Sequence, residues 1–471
     1  MSKASAGTAD VVGSAALAEL RRIVGAEHVR TAEGVLAAYS RDATPLFWSR
    51  PDVVVTPADA AEVAAVLRLA TARRIPVVAR GAGSNLCAGT VPLRGGIVLS
   101  LTRMNQILEI APDEMLARVE PGVSTRALND AAEAHGLFYP PDPGSRTVST
   151  MGGNVATCAG GLRGLKYGVT RNYVLGLTLV LPTGEIVKTG GRLWKDVAGY
   201  DLTRLITGSE GTLGVITEIT VALQPVPRAT RTGLAYFETL EQAGMAVSSL
   251  LAAGVVPATL EFLDRRCMDA VEDFARLGLN SEAGALLMFG DDGEPEWVER
   301  SFSRITQACA AAGSIDVQTA GNATEAEALL AARRCTLPAL SRLGSLTILE
   351  DASVPRPRLA EMVHRIEEIA ETNDVVIATF GHAGDGNLHP TCVLESAEDV
   401  NGIGRAERAF AAIFSAALDL GGTITGEHGV GAAKLPYLRR RLGQDQMDLL
   451  ARIKLAFDPV GILNPGKLGS Q

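Results

Sequence analysis

The chain has 471 residues, too many for a single hydrophobic core, so two or three domains are expected. A net charge of −9, with no basic run that could follow phosphates, excludes a nucleic-acid surface. No apolar stretch reaches the roughly 18 residues of a membrane span, and Glu19, Arg21 and Arg22 interrupt any N-terminal signal-like run.

The first part of the chain predicts a small helical lead-in over residues 1–50 and then a strand–helix–strand unit. β-Branched residues indicate the first strand, and an aspartate that can cap the helix follows it. The predicted elements are helices Ala15–Val24 and Ala32–Tyr39, strand Val53–Thr56, a helix from the cap Asp59 through Ala72, and strand Ile75–Ala79.

Three glycine-rich loops follow: Arg80–Gly89, Gly144–Gly161 and Thr207–Gly214. The first is not a dinucleotide fingerprint, because Leu86 stands where the third glycine belongs and a strand-like run follows. Its backbone N–H groups can still form an anion-binding nest. Three such loops within about 140 residues suggest a long cofactor threaded along the backbone, where side chains must be absent.

Beyond Pro225–Pro227, strands and helices alternate, which predicts an α+β second domain with a mixed sheet. The tail Asp458–Leu468 is Pro/Gly-rich and extended, and could fold back on the first domain. The elements predicted in the second domain are strands Gly233–Phe237, Ala258–Leu263, Ala285–Phe289 and Thr347–Glu350, helices Leu240–Ala253, Arg266–Ala275, Glu296–Ala312, Arg358–Glu371 and Arg405–Leu420, and a hairpin over 375–394.

The hairpin carries two of the six histidines, in the stretch Gly381–Pro390. If Asp385 and Gly386 are the two central residues of a tight turn, His382 and His389 are cross-strand partners. Their Cβ atoms would then lie about 4.5–5.5 Å apart, close enough for both rings to hold one metal ion. The alternative is a hairpin with two structural histidines.

The chain resembles the FAD-linked oxidases of the vanillyl-alcohol-oxidase/PCMH-type superfamily, in the branch with D-lactate dehydrogenase, D-2-hydroxyglutarate dehydrogenase and the glycolate oxidase flavin subunit. The motifs that carry the resemblance are RGAGSNLCAG, PGS…TMGGNVATCAGG, LTRLITGSEGTLGVIT, FGHAGDGNLHP, TGEHGVG and GILNPGK.

The resemblance implies an α+β fold with a PCMH-type, two-subdomain FAD-binding domain at 51–228. An α+β substrate (cap) domain with the metal site would span 229–440, and a C-terminal helix and tail at 441–471 would return to the FAD domain. No histidine occupies the loop through which some members attach the flavin, so non-covalent FAD is expected. The implied FAD-binding residues are Gly81, Ala82, Gly83, Ser84 and Asn85 at the pyrophosphate, Ser145, Thr150, Gly152, Gly153, Asn154 and Gly161 at the ribityl chain and isoalloxazine, Glu210, Gly211, Gly214 and Ile216 near the adenine half, and Asn464 in the tail.

The chemistry that the resemblance implies is oxidation of a 2-hydroxy acid. An alcohol proton is a poor acid, so a metal on the oxygen and a nearby base assist its removal. His382, His389 and Glu427 would hold one Zn, Mn or Fe ion. Glu427 and His428, on opposite sides of an extended segment, would serve as ligand and base. Arg333 matches the family's carboxylate-binding arginine.

The substrate and the electron acceptor stay open at this stage. Leu337 and Leu349 replace a threonine and a lysine of the D-2-hydroxyglutarate branch, which favours D-lactate or glycolate. Open alternatives are a D-2-hydroxyglutarate dehydrogenase, the flavin subunit of a multi-subunit glycolate oxidase, and a non-redox enzyme like the ether-lipid synthases. Quinone, cytochrome, an iron–sulfur partner subunit or O₂ could accept the electrons, and a homodimer is compatible with the sequence.

Cysteine usage gives the expected compartment. The six cysteines show no CxxC spacing, which predicts reduced thiols and argues against an iron–sulfur cluster within the chain. We therefore expect a cytoplasmic protein, with a peripheral position at the membrane left open.

Overall fold

The computed structural model describes residues 11–469 and confirms the α+β class. It divides into two compact units. We call residues 160–168 and 227–426 the central unit, and residues 11–159, 169–226 and 427–469 the N-terminal unit. The expected FAD-binding domain covered residues 51–228, but residues 160–168 cluster with the central unit. The expected cap domain ended at residue 440, but the chain from Glu427 onward clusters with the N-terminal unit.

Two sheets and a short ribbon organise the N-terminal unit. The four-stranded sheet is mixed, since two of its strand pairs are parallel and one is antiparallel. The five-stranded sheet is antiparallel throughout its pairs. In spatial order the strands are Val29–Arg30, Val53–Val55, Ile97–Ser100 and Val77–Arg80; then Ile107–Ala111, Leu116–Val119, Val215–Ala222, Val174–Val180 and Ile186–Gly190; and the ribbon Gln224–Pro225 with Leu137–Phe138.

The helical lead-in is part of the core of this unit. Helix Ser14–Val24 buries Ala16, Leu20 and Val24 in the same cluster as strand residues Val53 and Ile97. Helix Ala60–Arg73 packs there too, and Asp59 caps it as expected, with Oδ1 accepting from the amides of Ala61 and Glu62. The other α-helices of the unit are Glu33–Ala38, Thr125–Glu133, Met151–Thr157, Leu202–Ile206, Leu435–Leu442 and Gln444–Phe457.

The C-terminal tail adds to the four-stranded sheet. Val77 donates its amide to Ile462 O at 2.8 Å, and Asn464 donates its amide to Val77 O at 2.8 Å. Ile462 and Leu463 join the buried cluster of the lead-in. The tail therefore returns to the N-terminal unit, which holds the first and third glycine loops and most of the second.

The central unit contains one eight-stranded sheet, and every strand pair identified in it is antiparallel. The mixed pairing expected here lies instead in the four-stranded sheet of the other unit. The strands in spatial order are Asp316–Thr319, Ala229–Phe237, Ala285–Gly293, Thr259–Asp264, Ile377–His382, Asn387–Leu394 and Leu346–Leu349, with Ala352–Ser353 also pairing with Asn387–Leu394.

The helices of the central unit agree closely with the sequence pattern. Leu240–Ala252, for example, begins after Thr239, which forms a capping box with Gln242 in the first turn. The α-helices are Gly164–Tyr167, Leu240–Ala252, Arg265–Ala275, Pro295–Ala311, Ala323–Arg334, Thr336–Leu340, Leu359–Thr372 and Val400–Asp419. Within residues 11–469, none of the helices is both long and apolar enough to cross a bilayer.

Candidate active site

The first glycine loop needs its glycines for close backbone approach. A Cβ on Gly81 would lie 2.1 Å from Thr150 Oγ1, and one on Gly83, where φ is +71°, would lie 2.2 Å from the guanidinium of Arg80. The side chain of Asn85 folds back on the loop, accepting from Gly89 N at 2.8 Å and donating to Thr90 Oγ1 at 3.0 Å. The loop therefore has little side-chain bulk at these positions, and its backbone N–H groups could approach a pyrophosphate closely.

The second glycine stretch is not a loop throughout. Thr150 caps the short helix Met151–Thr157, and a Cβ on Gly152 would lie 2.5 Å from Pro121 Cβ. Asn154 donates to Thr125 Oγ1 at 2.6 Å, and Ser145 O accepts from two amides of the following turn. Gly161, with φ at +125°, lies in the segment that clusters with the central unit.

The side chain of Glu210, in the third loop, is used within the protein. Its carboxylate accepts from Val430 N and Gly431 N, both at 2.7 Å. Burial raises the pKa of Glu210, and these amides oppose the rise. Gly214 approaches Leu179 closely, and Ile216 is buried in strand Val215–Ala222. Glu210 therefore anchors the backbone that follows His428.

Two tail residues join the first and third loops. Asn464 Nδ2 donates to Gly89 O at 2.9 Å and to Glu210 O at 2.8 Å. Lys467 Nζ donates to Gly89 O and Val91 O, at 2.8 and 2.7 Å. Burial lowers the pKa of Lys467 to about 8. Three motifs far apart in the chain thus form one hydrogen-bonded network.

We expect Gly81→Ala to reduce the FAD content of the purified protein strongly. The added methyl would displace Thr150, the cap of helix Met151–Thr157 and itself a predicted FAD-binding residue. Gly34→Ala is the matched control, because a Cβ there meets nothing within 4 Å and Gly34 lies in helix Glu33–Ala38, outside the glycine loops. Flavin absorbance per protein measures the effect, and equal content in the two variants would contradict the prediction.

The hairpin register predicted for the histidines is wrong by two residues. His382 pairs with Asn387 and Phe380 pairs with His389, so the connecting loop has four residues. A two-residue type I′ turn needs positive φ at both central positions, and Asp385 does not adopt it, whereas Gly386 has φ of +81°. His382 and His389 are therefore diagonal neighbours on one face, still within reach of each other.

The predicted metal ligands come together. The ring centroids of His382 and His389 are 5.1 Å apart, with the rings perpendicular. One ligand atom from each of His382, His389 and Glu427 lies within 4.8 Å of the others, and both histidines are buried. His382 Nδ1 is 2.7 Å from Glu261 Oε1, which leaves Nε2 as its ligand atom. The donor set suits a divalent transition metal.

Sequence reasoning missed Glu261. It lies on strand Thr259–Asp264 directly opposite His382, and is only 1% exposed. Its Oε2 lies 2.6 Å from Arg333 Nη2, so the two side chains form an ion pair. The geometry of this pair does not meet the criteria of a hydrogen bond. The guanidinium of Arg333 also lies over Phe380, 4.7 Å from the ring centroid. A lone glutamate within the apolar run ATLEFL was the available signal.

Asp351, also missed, holds the segment that leads to Glu427. This fully buried carboxylate accepts from Thr425 Oγ1 at 2.6 Å, from Gly426 N at 2.9 Å and from Asn387 Nδ2 at 2.5 Å. It therefore ties the residue before Glu427 to the hairpin that carries the histidines.

The orientation predicted for His428 rested on an extended backbone, which the structure does not have. Residues 426–428 form a bend, and Gly429 and Gly431 have φ of +90° and +47°. The side chains of Glu427 and His428 consequently approach, with His428 Nε2 3.7 Å from Glu427 Oε1. His428 is thus adjacent to the ligand group rather than directed away from it.

Two family models match the chain. The model described as "FAD linked oxidases, C-terminal domain" matches residues 226–468, and "FAD binding domain" matches residues 51–190. The chain is 50% identical over 450 residues to "Glycolate oxidase subunit GlcD" of Bacillus subtilis (strain 168), covering 96% of each. It is 40% identical over 420 residues to "D-lactate dehydrogenase" of Archaeoglobus fulgidus, covering 88% of this chain and 91% of the relative.

Solved structures show the same fold at low identity. Substrate-bound p-cresol methylhydroxylase superposes with a TM-score of 0.84 at 18% identity, over 99% of this chain and 98% of that one. An alkyldihydroxyacetonephosphate synthase gives 0.76 at 19% identity, over 95% and 85%. These similarities concern the fold alone.

Proposed function

The chain belongs to the FAD-linked oxidase family, and from that premise we propose that it oxidises a small D-2-hydroxy acid, D-lactate or glycolate, with one divalent metal. The observation that carries the metal-dependent part is the group of His382, His389 and Glu427, whose ligand atoms lie within 4.8 Å of one another. The relatives named for glycolate and D-lactate support the reaction class.

In the proposed reaction, His428 Nε2 takes the hydroxyl proton of the substrate. Its position beside Glu427 sets it next to the ligand group, and neutral imidazole is a suitable base near neutral pH. A divalent ion held by His382, His389 and Glu427 would supply Lewis acidity toward the hydroxyl, and FAD would supply the hydride acceptor. The protein holds the base and the ligands through Glu210 and Asp351, which anchor the backbone on either side of Glu427 and His428.

Arg333 is the proposed partner of the substrate carboxylate. It is 5% exposed, and its Nε has no hydrogen-bond partner among residues 11–469. A buried guanidinium N–H without a partner is costly, and a carboxylate would satisfy it. By the family resemblance, Leu337 and Leu349 stand where the D-2-hydroxyglutarate branch has a threonine and a lysine, which supports a substrate with one carboxylate.

The charges at the site favour a monoanionic substrate. The divalent ion and Arg333 together carry a charge of about +3, and the carboxylates of Glu427 and Glu261 together carry about −2. These four groups therefore leave a net positive charge that one substrate carboxylate neutralises. Since an unbalanced buried charge is expensive, this balance favours a monocarboxylate over a dicarboxylate such as 2-hydroxyglutarate.

We further propose that the chain acts as the flavin subunit of a larger assembly, with non-covalent FAD. Three relatives carry the name of a glycolate oxidase subunit, which supports a partner that takes the electrons onward to a quinone or a cytochrome. The ether-lipid-synthase alternative has only fold similarity in its favour.

Anaerobic reduction of the bound flavin tests the proposal. D-lactate, L-lactate, glycolate and D-2-hydroxyglutarate would each be mixed with the protein, and the flavin absorbance followed, with metal analysis on the same sample. We expect bleaching with D-lactate or glycolate and about one metal ion per chain. Reduction by none of these acids, or only by D-2-hydroxyglutarate, would contradict it.

A further inference from the structure

Glu261 lies between the two functional groups of the central unit. Oε1 is 2.7 Å from His382 Nδ1, and Oε2 is 2.6 Å from Arg333 Nη2. Each oxygen of one carboxylate therefore serves a different side chain. The strand position fixes this geometry, because Glu261 and His382 are directly opposed in the antiparallel pair.

A carboxylate in this position is expensive unless both oxygens are used. Glu261 is 1% exposed, and the side chains of Arg333 and His382 are 6% and 8% exposed. Desolvating a carboxylate and a guanidinium is costly, and their mutual attraction offsets that cost only in good geometry. An apolar residue in the same strand would avoid that cost, so a requirement other than stability is indicated.

From this geometry we infer that Glu261 is a positioning residue that joins the metal ligand His382 to the substrate-binding Arg333. The inference rests on the proposed function. By accepting from Nδ1–H, Glu261 selects the tautomer of His382 whose Nε2 carries the lone pair that can bind the ion. By pairing with Nη2, the same carboxylate orients the guanidinium over Phe380.

This arrangement couples the two sites through a single side chain. Glutamine at position 261 has one acceptor oxygen and one donor nitrogen, so it cannot satisfy both neighbours. With its oxygen toward Arg333, its NH₂ faces His382 Nδ1 and selects the tautomer whose Nε2 carries a proton and cannot bind metal. With its oxygen toward His382, its NH₂ faces the guanidinium, and two hydrogen-bond donors then oppose each other.

The coupling makes a specific prediction about paired variants. Glu261→Gln should weaken metal binding, because the charge of Arg333 attracts the single oxygen away from His382. In Glu261→Gln/Arg333→Gln the guanidinium is gone, and the oxygen of Gln at 261 is again available to His382 Nδ1–H. The second substitution should therefore restore metal affinity that the first removed.

The experiment measures Zn²⁺ affinity of FAD-loaded protein that a chelator has stripped of metal, by competition with a chromophoric chelator. Disruption of the bond that orients a ligating histidine typically costs 10–100-fold in metal affinity, and we expect roughly that loss in Glu261→Gln. The double variant should regain at least about half of the loss on a logarithmic scale. Glu299→Gln, an exposed glutamate of the same unit that pairs with Arg231, should bind Zn²⁺ as the wild type does.

The outcomes separate this inference from the proposed function. If the wild type binds no Zn²⁺, or His389→Ala binds it equally well, the metal site of the proposed function fails. If those two behave as expected but Glu261→Gln retains wild-type affinity, the inference is overturned. Equal weakness of the single and double variants would overturn the link through Arg333.

A variant that retains the charge covers the case in which Glu261→Gln does not fold. Glu261→Asp keeps the buried negative charge beside Arg333, but its side chain is one methylene shorter and cannot reach both partners. We expect it to retain FAD and to lose Zn²⁺ affinity. Wild-type affinity in this variant would equally overturn the inference.

Discussion

Replacement of His428 by alanine is expected to slow anaerobic reduction of the flavin by substrate roughly 10²–10⁴-fold, the usual contribution of a positioned general base. The reason is that the hydroxyl proton loses its acceptor, while the three metal ligands remain. FAD content and Zn²⁺ affinity should stay near the wild-type values. Stopped-flow absorbance with D-lactate or glycolate measures the rate of flavin reduction.

The matched control for this prediction is His364→Ala. The His364 side chain is 70% exposed on helix Leu359–Thr372, where it pairs with Glu368. The flavin of the His364→Ala protein should be reduced by substrate at the wild-type rate. If the flavin of metal-loaded His428→Ala protein were reduced at a rate within about threefold of the wild-type rate, His428 would not be the base.

Removal of the metal is the second change with a large expected effect. Lewis-acid assistance is worth several kcal/mol of barrier, so the chelator-treated protein should reduce its flavin at least about 10²-fold more slowly. FAD should stay bound, because none of the three ligands lies in the glycine loops or in the tail Asp458–Leu468. Zn²⁺ or Mn²⁺ should restore the rate.

The matched variant in the metal experiment is His389→Ala, which lacks a ligand and should be slow both before and after Zn²⁺ or Mn²⁺ is added. His135→Ala, an exposed histidine beyond helix Thr125–Glu133, should respond to chelation and readdition as the wild type does. Full activity of thoroughly demetallated protein would contradict the metal requirement and leave the flavin chemistry intact.

Local patterns predicted the elements well, because each depends on residues close in sequence. Asp59 marks the start of a helix through its own hydrogen bonds to Ala61 and Glu62. The hairpin was predicted correctly as an element but with the wrong register. That register depends on the conformation of Asp385 and Gly386. Gly386 packs against Val354, the residue that follows strand Ala352–Ser353, since a Cβ on Gly386 would lie 2.2 Å from Val354 O. Such packing is not visible in the local sequence.

The candidate site divides in the same way. His382, His389 and Glu427 were predicted because their motifs and the family resemblance point to them, and the structure brings their ligand atoms together. Glu261 and Asp351 were missed because their roles come from partners 121 and 75 residues away. The roles predicted for Glu210 and Asn464 near the flavin stay predictions, although both side chains bond within the protein.

The α+β class, the glycine loops and the histidine-bearing hairpin follow from the amino-acid sequence alone, because propensity, capping and glycine geometry act over a few residues. Which buried charges meet depends instead on how distant parts of the chain pack together. Glu261 reaches His382 and Arg333 because antiparallel pairing sets it opposite the hairpin and helix Ala323–Arg334 packs on that face. Buried charges must find partners wherever the fold provides them, and sequence spacing carries no record of that choice.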